Sequence, residues 1–240
     1  MKTGRRSVLV AAVLAVGLVL PSPCAGKNKK VDSWNARIQE TVRLLRVGNP
    51  SQARATIAPV LEEMTEEVNP GKKAGHAFAL ALTLRALTEA GGGDERGATW
   101  DWHVAQQLDP AIESWDLREF GAAGEVLARH RLSADPVPPA LTFEELKRAG
   151  GQKPTILTRG RGLIYLEKTR QRRWEGSILV KVRIDEQGIP TYPRIVWSSH
   201  EVGIVLASCE FTRELVYTPA TKDGKPIAVL SEQKTSYRQD

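Results

Sequence analysis

The chain has 240 residues, of which 41% are hydrophobic and 26% charged. That length supports one large domain or two small ones with their own cores, and that composition excludes wholesale disorder. The 34 basic and 28 acidic residues give a formal net charge of +6, too small an excess to point to nucleic acid.

The N-terminus carries Lys2, Arg5 and Arg6, then an apolar run from Val8 to Leu20 that stops at Pro21. A basic stretch followed by a short apolar one is the pattern of a secretion signal. The run falls short of the ~20 apolar residues that a membrane-spanning helix needs. Residues 1–26 are therefore expected to be a signal peptide, cleaved near Ala25 or Gly26. Cys24 opens an alternative, a lipoprotein signal with lipidation at that residue, and an uncleaved anchor is a third reading. Removing the signal takes three basic residues and no acids, so +6 becomes +3. It also leaves Cys209 alone, with no internal disulfide to support the fold.

A helical region is expected over residues 31–132. Asp32 or Ser33 caps a first helix whose Trp34, Ile38, Val42 and Leu45 share one face. Gly48-Asn49-Pro50 ends it, and Pro50 suits the first position of the next helix. Ala53, Ile57, Val60, Leu61 and Met64 give that helix its apolar face. A third helix runs from about Lys73 to Ala90. Gly91-Gly92-Gly93-Asp94 is a turn and not a phosphate loop, because no strand precedes it and no Lys-Ser/Thr follows. A fourth runs from about Glu95 to Leu108, and a fifth from about Trp115 to His130. Ala98, Trp102, Ala105, Leu82 and Ala86 fall where a tetratricopeptide repeat has its signature residues, although Glu89 stands where that repeat has an aromatic. The pair of helices resembles one such repeat, and a generic α-hairpin bundle is the alternative.

Residues 133–160 are expected to be a linker, since Pro136, Pro138 and Pro139 cannot continue a helix. Thr142 to Ala149 is the one short helix expected within it. Next comes a basic cluster of Arg159, Arg161, Lys168, Arg170, Arg172 and Arg173. Arg170, Arg172 and Arg173 are candidates for contacting acidic protein, anionic lipid or cell wall. A solvated face is the plainer reading.

From Ser177 the hydrophobic period changes to two. Ile178, Val180, Val182 and Ile184 alternate with Ser177, Leu179, Lys181 and Arg183, the pattern of a half-buried strand. Asp185 to Gly188 is a turn, and Tyr192 to Trp197 a second strand, with Pro193 marking an irregular or edge position. A helix follows from Gly203 to Leu215, with Val205, Cys209 and Thr212 on one face. Asp223-Gly224 is a turn, and Ile227 to Tyr237 is extended. The fold class is α+β, a helical domain followed by a small domain of order β-β-α-β over residues 161–240.

Chemistry is hard to find. His76, His103, His130 and His200 are scattered, with no metal-ligand spacing. His103 is expected to be structural or exposed, and Cys209, centred on an apolar helix face, a buried small hydrophobe. No nucleophile elbow is present. No catalytic residue, metal or cofactor is expected.

Glu175-Gly176 before an alternating strand, Asp185 and Gly188 at its turn, and Ser198-Ser199 after the second strand come in a recognisable order. Tyr217-Thr218-Pro219-Ala220 and Gly224-Lys225-Pro226-Ile227 complete it. Together they resemble the TonB C-terminal domain family from about Leu163 to Tyr237. The sequence departs from the family's pattern at Tyr165-Leu166, at His200 and at Leu215. The resemblance implies a non-enzymatic, exported envelope protein that binds other proteins by adding a partner's strand to an exposed sheet edge. The binding residues it implies are Tyr165, Ile227, Ala228, Val229, Leu230, Ser231 and Gln233. Partners are envelope proteins, an outer-membrane protein among them, or a second copy in a homodimer, and not nucleic acid. Energy transduction from an inner-membrane motor is the first rival. It needs an anchor and a long spacer, where this chain has a short signal and a helical domain. A structural protein binding cell wall or lipid is the second. An enzyme with a site shared between the domains is the third, and it requires convergent polar groups of perturbed pKa.

Overall fold

The computed structural model describes residues 29–66, 74–160, 175–197 and 202–237. The predicted signal peptide, Cys24, Tyr165, Ser198-Ser199 and the basic residues from Arg161 to Arg173 lie outside the described residues.

Two antiparallel helical hairpins open the fold: α1 (Lys29–Arg46) with α2 (Pro50–Thr65), and α3 (Ala74–Gly91) with α4 (Glu95–Leu108). Their ends follow from local chemistry. Asn49 caps α2, accepting from the Gln52 N–H at 3.2 Å, and Pro50 fills the first position. Asp94 caps α4, accepting from Gly97 N–H at 2.9 Å. The Gly91–Asp94 stretch is the expected turn, with Gly93 at φ +85°. The expected fifth helix is broken. Two 3₁₀ turns (Pro110–Ser114 and Arg118–Phe120) precede a shorter α5 (Gly121–Arg129).

Residues 133–135 bond to the helical region, through Ser133 to Glu113 and Asp135 to His130, while segments from Leu141 onward pair with C-terminal strands. β1 (Leu141–Thr142) pairs in parallel with β8 (Val229–Tyr237), at Leu141↔Val229 and Thr142↔Leu230. α6 (Phe143–Arg148) begins with a capping box in which Thr142 and Glu145 satisfy each other's backbone N–H. β2 (Ile156–Thr158) pairs with β5 (Val216–Tyr217), and Gln152 bridges Thr221.

The main sheet has the order β1-β8-β3-β4, with β3 (Gly176–Ile184) central and β4 (Pro190–Trp197) at one edge. β3 pairs antiparallel with β8 in unbroken register from Gly176↔Tyr237 to Ile184↔Val229. Against β4 its register slips between Lys181↔Arg194 and Arg183↔Thr191. Tyr192, at φ +51°, and Pro193 occupy that bulge, so the proline sits at an irregular edge position. Gly188 turns the β3–β4 hairpin at φ +81°. Its carbonyl accepts from the Tyr217 N–H at 2.9 Å, and any Cβ there would strike the Tyr217 carbonyl.

α7 (Val202–Arg213) lies in the middle of the molecule. One side packs on β3 and β4, the other on α2 and α3. Its residues from Gly203 to Cys209 are all buried, as expected for a helix covered on both sides. The expected order strand, strand, helix, strand is therefore present, with β5, β6 (Ala220–Lys222) and β7 (Lys225–Ile227) inserted before β8. A single apolar core runs from Trp34 and Ile57 through Leu82 and Trp102 to Ile178, Ile204 and Val229.

Candidate functional site

The two edges of the main sheet are treated differently. At β4, α4 lies alongside the edge. Gln107 on that helix donates from Nε2 to the Pro193 carbonyl at 2.7 Å and accepts at Oε1 from the Ile195 N–H at 2.9 Å. One side-chain amide thus makes the two bonds that a neighbouring strand would make, and closes the edge.

At β8 the described residues cover the outer edge only at its start. The Leu141 N–H donates to the Ala228 carbonyl at 3.3 Å. Backbone groups alternate in direction along a strand, so the N–H and C=O groups of Leu230, Glu232, Lys234 and Ser236 point away from β3. Leu230 faces β1, and beyond it no described residue pairs with this edge. Ser231, Thr235 and Tyr237 are buried on the core face, where the Tyr237 hydroxyl lies 3.0 Å from Ser208 Oγ. Glu232 and Lys234 are exposed, and Glu232 pairs across the strands with Lys181 at 3.1 Å.

The residues implied as a binding edge therefore divide. Ile227 belongs to β7 and pairs with Ala220. Ala228 and Val229 are buried, and Val229 and Leu230 are already paired with β1. Ser231 and Gln233 lie on the part of β8 with an open outer edge, although their own backbone groups point toward β3. Tyr165 and the candidate anion-binding arginines are not described. Among the described residues the open stretch is Ser231 to Ser236, and the residues presenting it are Glu232, Lys234 and Ser236.

A second group of residues escaped the sequence reading. At the junction of α3, α4 and α7, Asp101 lies 1% exposed between two arginines. Arg85 holds it through Nε and through Nη2 at 2.7 Å, and also reaches Glu210 on α7. Arg213 on α7 donates to Asp101 at 3.1 Å and to Glu89 Oε1 at 2.8 Å. Gly97 makes room for this, because a Cβ there would collide with the Arg213 guanidinium and the Asp94 carboxylate. Burial opposes the Arg85 charge, but Asp101 and Glu210 outweigh it and hold its pKa well above the ordinary value. Glu89 goes the other way. Burial and the neighbouring Asp101 charge push its carboxyl up to about 7, against the pull of Arg213 and Arg85. The sequence signal was present: Arg85 and Glu89, four apart, interrupt a helix otherwise rich in Ala and Leu.

His103 is fully buried beside Tyr192, with ring centroids 5.3 Å apart, and its Nε2 lies 3.1 Å from the His130 carbonyl. Burial pushes its pKa down to about 4, so it is neutral at pH 7. Cys209 is buried, and burial together with Glu210 and Asp101 pushes its thiol far up, away from nucleophilic use. Among the described residues no group of three His, Cys, Asp or Glu is gathered as metal ligands, and no helix is long and apolar enough to cross a membrane.

Residues 162–238 match the family model of the Gram-negative bacterial TonB protein C-terminal. No curated protein and no solved structure matches the chain.

Proposed function

We propose that this chain is a non-enzymatic adaptor of the cell envelope whose TonB-type domain, matched over residues 162–238, binds a partner protein by taking a strand onto the outer edge of β8. The observation that carries the reading is the asymmetry of the sheet. One edge is braced by Gln107, and the other is open from Ser231 to Ser236 among the described residues. An unpaired row of N–H and C=O groups is a template for another strand. Backbone hydrogen bonds supply the affinity, and the side chains of Glu232, Lys234 and Ser236 meet the added strand's neighbours and select it. The alternating charges Glu232 and Lys234 suit a partner strand of mixed polarity and discourage indiscriminate pairing.

In this reading residues 1–26 direct export and the helical region, proposed to be repeat-like, holds the domain in place or carries a second partner. A photoreactive amino acid placed at Lys234, and separately at Arg194 on β4, tests the edge in living cells. The expected outcome is a discrete adduct with one envelope protein from position 234 and none from 194. A self-adduct at 234 would make the occupant a second copy of the chain. No adduct at 234, or equal adducts at both positions, would contradict strand addition at β8.

A further inference from the structure

One of the contacts by which α4 holds β4 can take up a proton. Gln107 makes the two backbone bonds already described. One turn earlier on the same helix, His103 packs its ring on Tyr192, with centroids 5.3 Å apart, and its side chain is fully buried. A carbonyl only accepts, so Nε2, facing the His130 carbonyl at 3.1 Å, carries the ring's proton. Nδ1 is then the bare nitrogen, buried with no hydrogen-bond partner. A second proton places an N–H and a positive charge where no described residue accepts them.

The surrounding groups do not rescue that charge. Asp135, in the segment after α5, lies 3.8 Å from Nε2 and favours it. Its carboxylate is already engaged by His130 Nδ1 at 2.6 Å and by the Tyr192 hydroxyl at 3.4 Å. His130 and Arg194 on β4 oppose the charge, and Glu95 at the start of α4 is paired with His130 and Arg129. Burial outweighs Asp135 and holds the ring neutral down to about pH 4. Of the two sides packed on the ring, β4 is the more easily released. The segment after α5 is also tied by Gln106, which accepts from the Leu132 N–H at 2.9 Å. β4 is held through a bulge whose Tyr192 sits at φ +51°, a left-handed backbone that is costly for a bulky side chain.

We propose that His103 is an acid-operated catch: when its ring takes a second proton, the Tyr192–Pro193 bulge parts from α4, Gln107 loses its hold, and the β4 edge opens as a second template for a strand. This goes beyond strand addition at β8 and does not depend on it. The released ring has the ordinary value of 6.5 and the closed one about 4, so the released form binds the proton better and acid drives release. The ratio of released to closed rises about twentyfold from pH 7 to pH 5.

Amide exchange of the full chain in the equilibrium-limited regime, corrected for the intrinsic rate at each pH, reads that ratio at Ile195, whose N–H is bonded by Gln107. Its protection factor should fall about twentyfold from pH 7 to pH 5. Val180 and Val182 on β3 should change far less, because Glu89 offsets His103 in global unfolding over this range. In His103→Gln the fall at Ile195 should disappear. His103→Phe, which keeps a ring against Tyr192 and cannot titrate, serves if the glutamine variant does not fold. A flat Ile195 profile in the wild type, a fall shared equally by Val180 and Val182, or a fall that persists in either variant would overturn the proposal. None of these results bears on the adduct from position 234, so the catch fails separately from strand addition at β8.

Discussion

The two edges of one sheet show how a fold separates what it keeps from what it offers. β4 carries a bulge at Tyr192–Pro193, leans on α4, and has the Pro193 carbonyl and the Ile195 N–H answered by Gln107. β8 is regular over nine residues, begins under the two-residue β1, and then runs on with Glu232, Lys234 and Ser236 facing outward. An irregular edge braced by its own helix is a poor template for another strand. A straight one whose alternate backbone groups meet no partner among the described residues is a good one. The side of the sheet bound to the helical region is thus braced, and the opposite side is the one proposed for recognition.

Breaking the braced side should cost most. Replacing Asp101 by Ala removes the carboxylate that Arg85 and Arg213 share and leaves two buried guanidiniums short of a partner. A loss of about 3–5 kcal/mol is expected in urea unfolding. The same side carries two opposed pH dependences. Glu89 has a folded pKa of about 7 against 4.5 unfolded. Its proton is held more tightly in the folded state, so that contribution is fully present below pH 4.5 and lost as pH rises through 7. His103 has a folded pKa of about 4 against 6.5. Its contribution is present above pH 6.5 and lost as pH falls through 4. Each shift corresponds to about 3 kcal/mol, and across pH 4.5–6.5 they offset. Relative to the wild type, Glu89→Gln should therefore lose about 3 kcal/mol of stability as pH drops from 7 to 4, and His103→Gln should gain about as much over the same range. Unfolding midpoints measured across that range check both.

Smaller effects sharpen the contrast between the edges. Gln107→Ala leaves the Pro193 carbonyl and the Ile195 N–H unanswered, for a loss of about 2 kcal/mol. It should also increase concentration-dependent self-association through β4, seen by sedimentation. Lys234→Pro deletes an N–H that points outward and takes no part in the β3 pairing, so it should cost only about 1 kcal/mol. It should nevertheless abolish the cross-linked adduct formed from a photoreactive residue at Ser236. A variant that keeps its fold and loses its partner is what separates a recognition edge from a structural one.

Much of this was legible in the sequence because it is local. α4 spans the expected Glu95–Leu108, since Asp94 caps its start and Asp109-Pro110 ends it. The alternation of Ile178, Val180, Val182 and Ile184 places all four in the core. Thr142 and Glu145 form a capping box readable from their spacing alone. What was not legible depends on partners far along the chain. Residues 133–160 look like a linker because their prolines forbid a helix, but extended backbone is also what a strand needs, and Leu141 finds its place beside Val229. The periodicity of α7 implied one buried face. It is buried on both, because the sheet and the helical hairpins enclose it. Gln107 and Asp101 each sit in an ordinary helical position, and nothing local distinguishes a solvated amide or acid from one that spans two regions.

The most direct measurement is residue-resolved amide hydrogen exchange on the isolated protein. Along β8 the amides of Ser231, Gln233 and Thr235 should be protected by β3, while those of Glu232, Lys234 and Ser236 exchange rapidly. The Ile195 amide on β4 should be protected and should lose that protection in Gln107→Ala. Equal protection of all six β8 amides would mean that the outer edge is already filled, and an Ile195 amide indifferent to Gln107 would mean that β4 is not closed by its helix. Either result would contradict the division of the sheet into a sealed edge and an offered one.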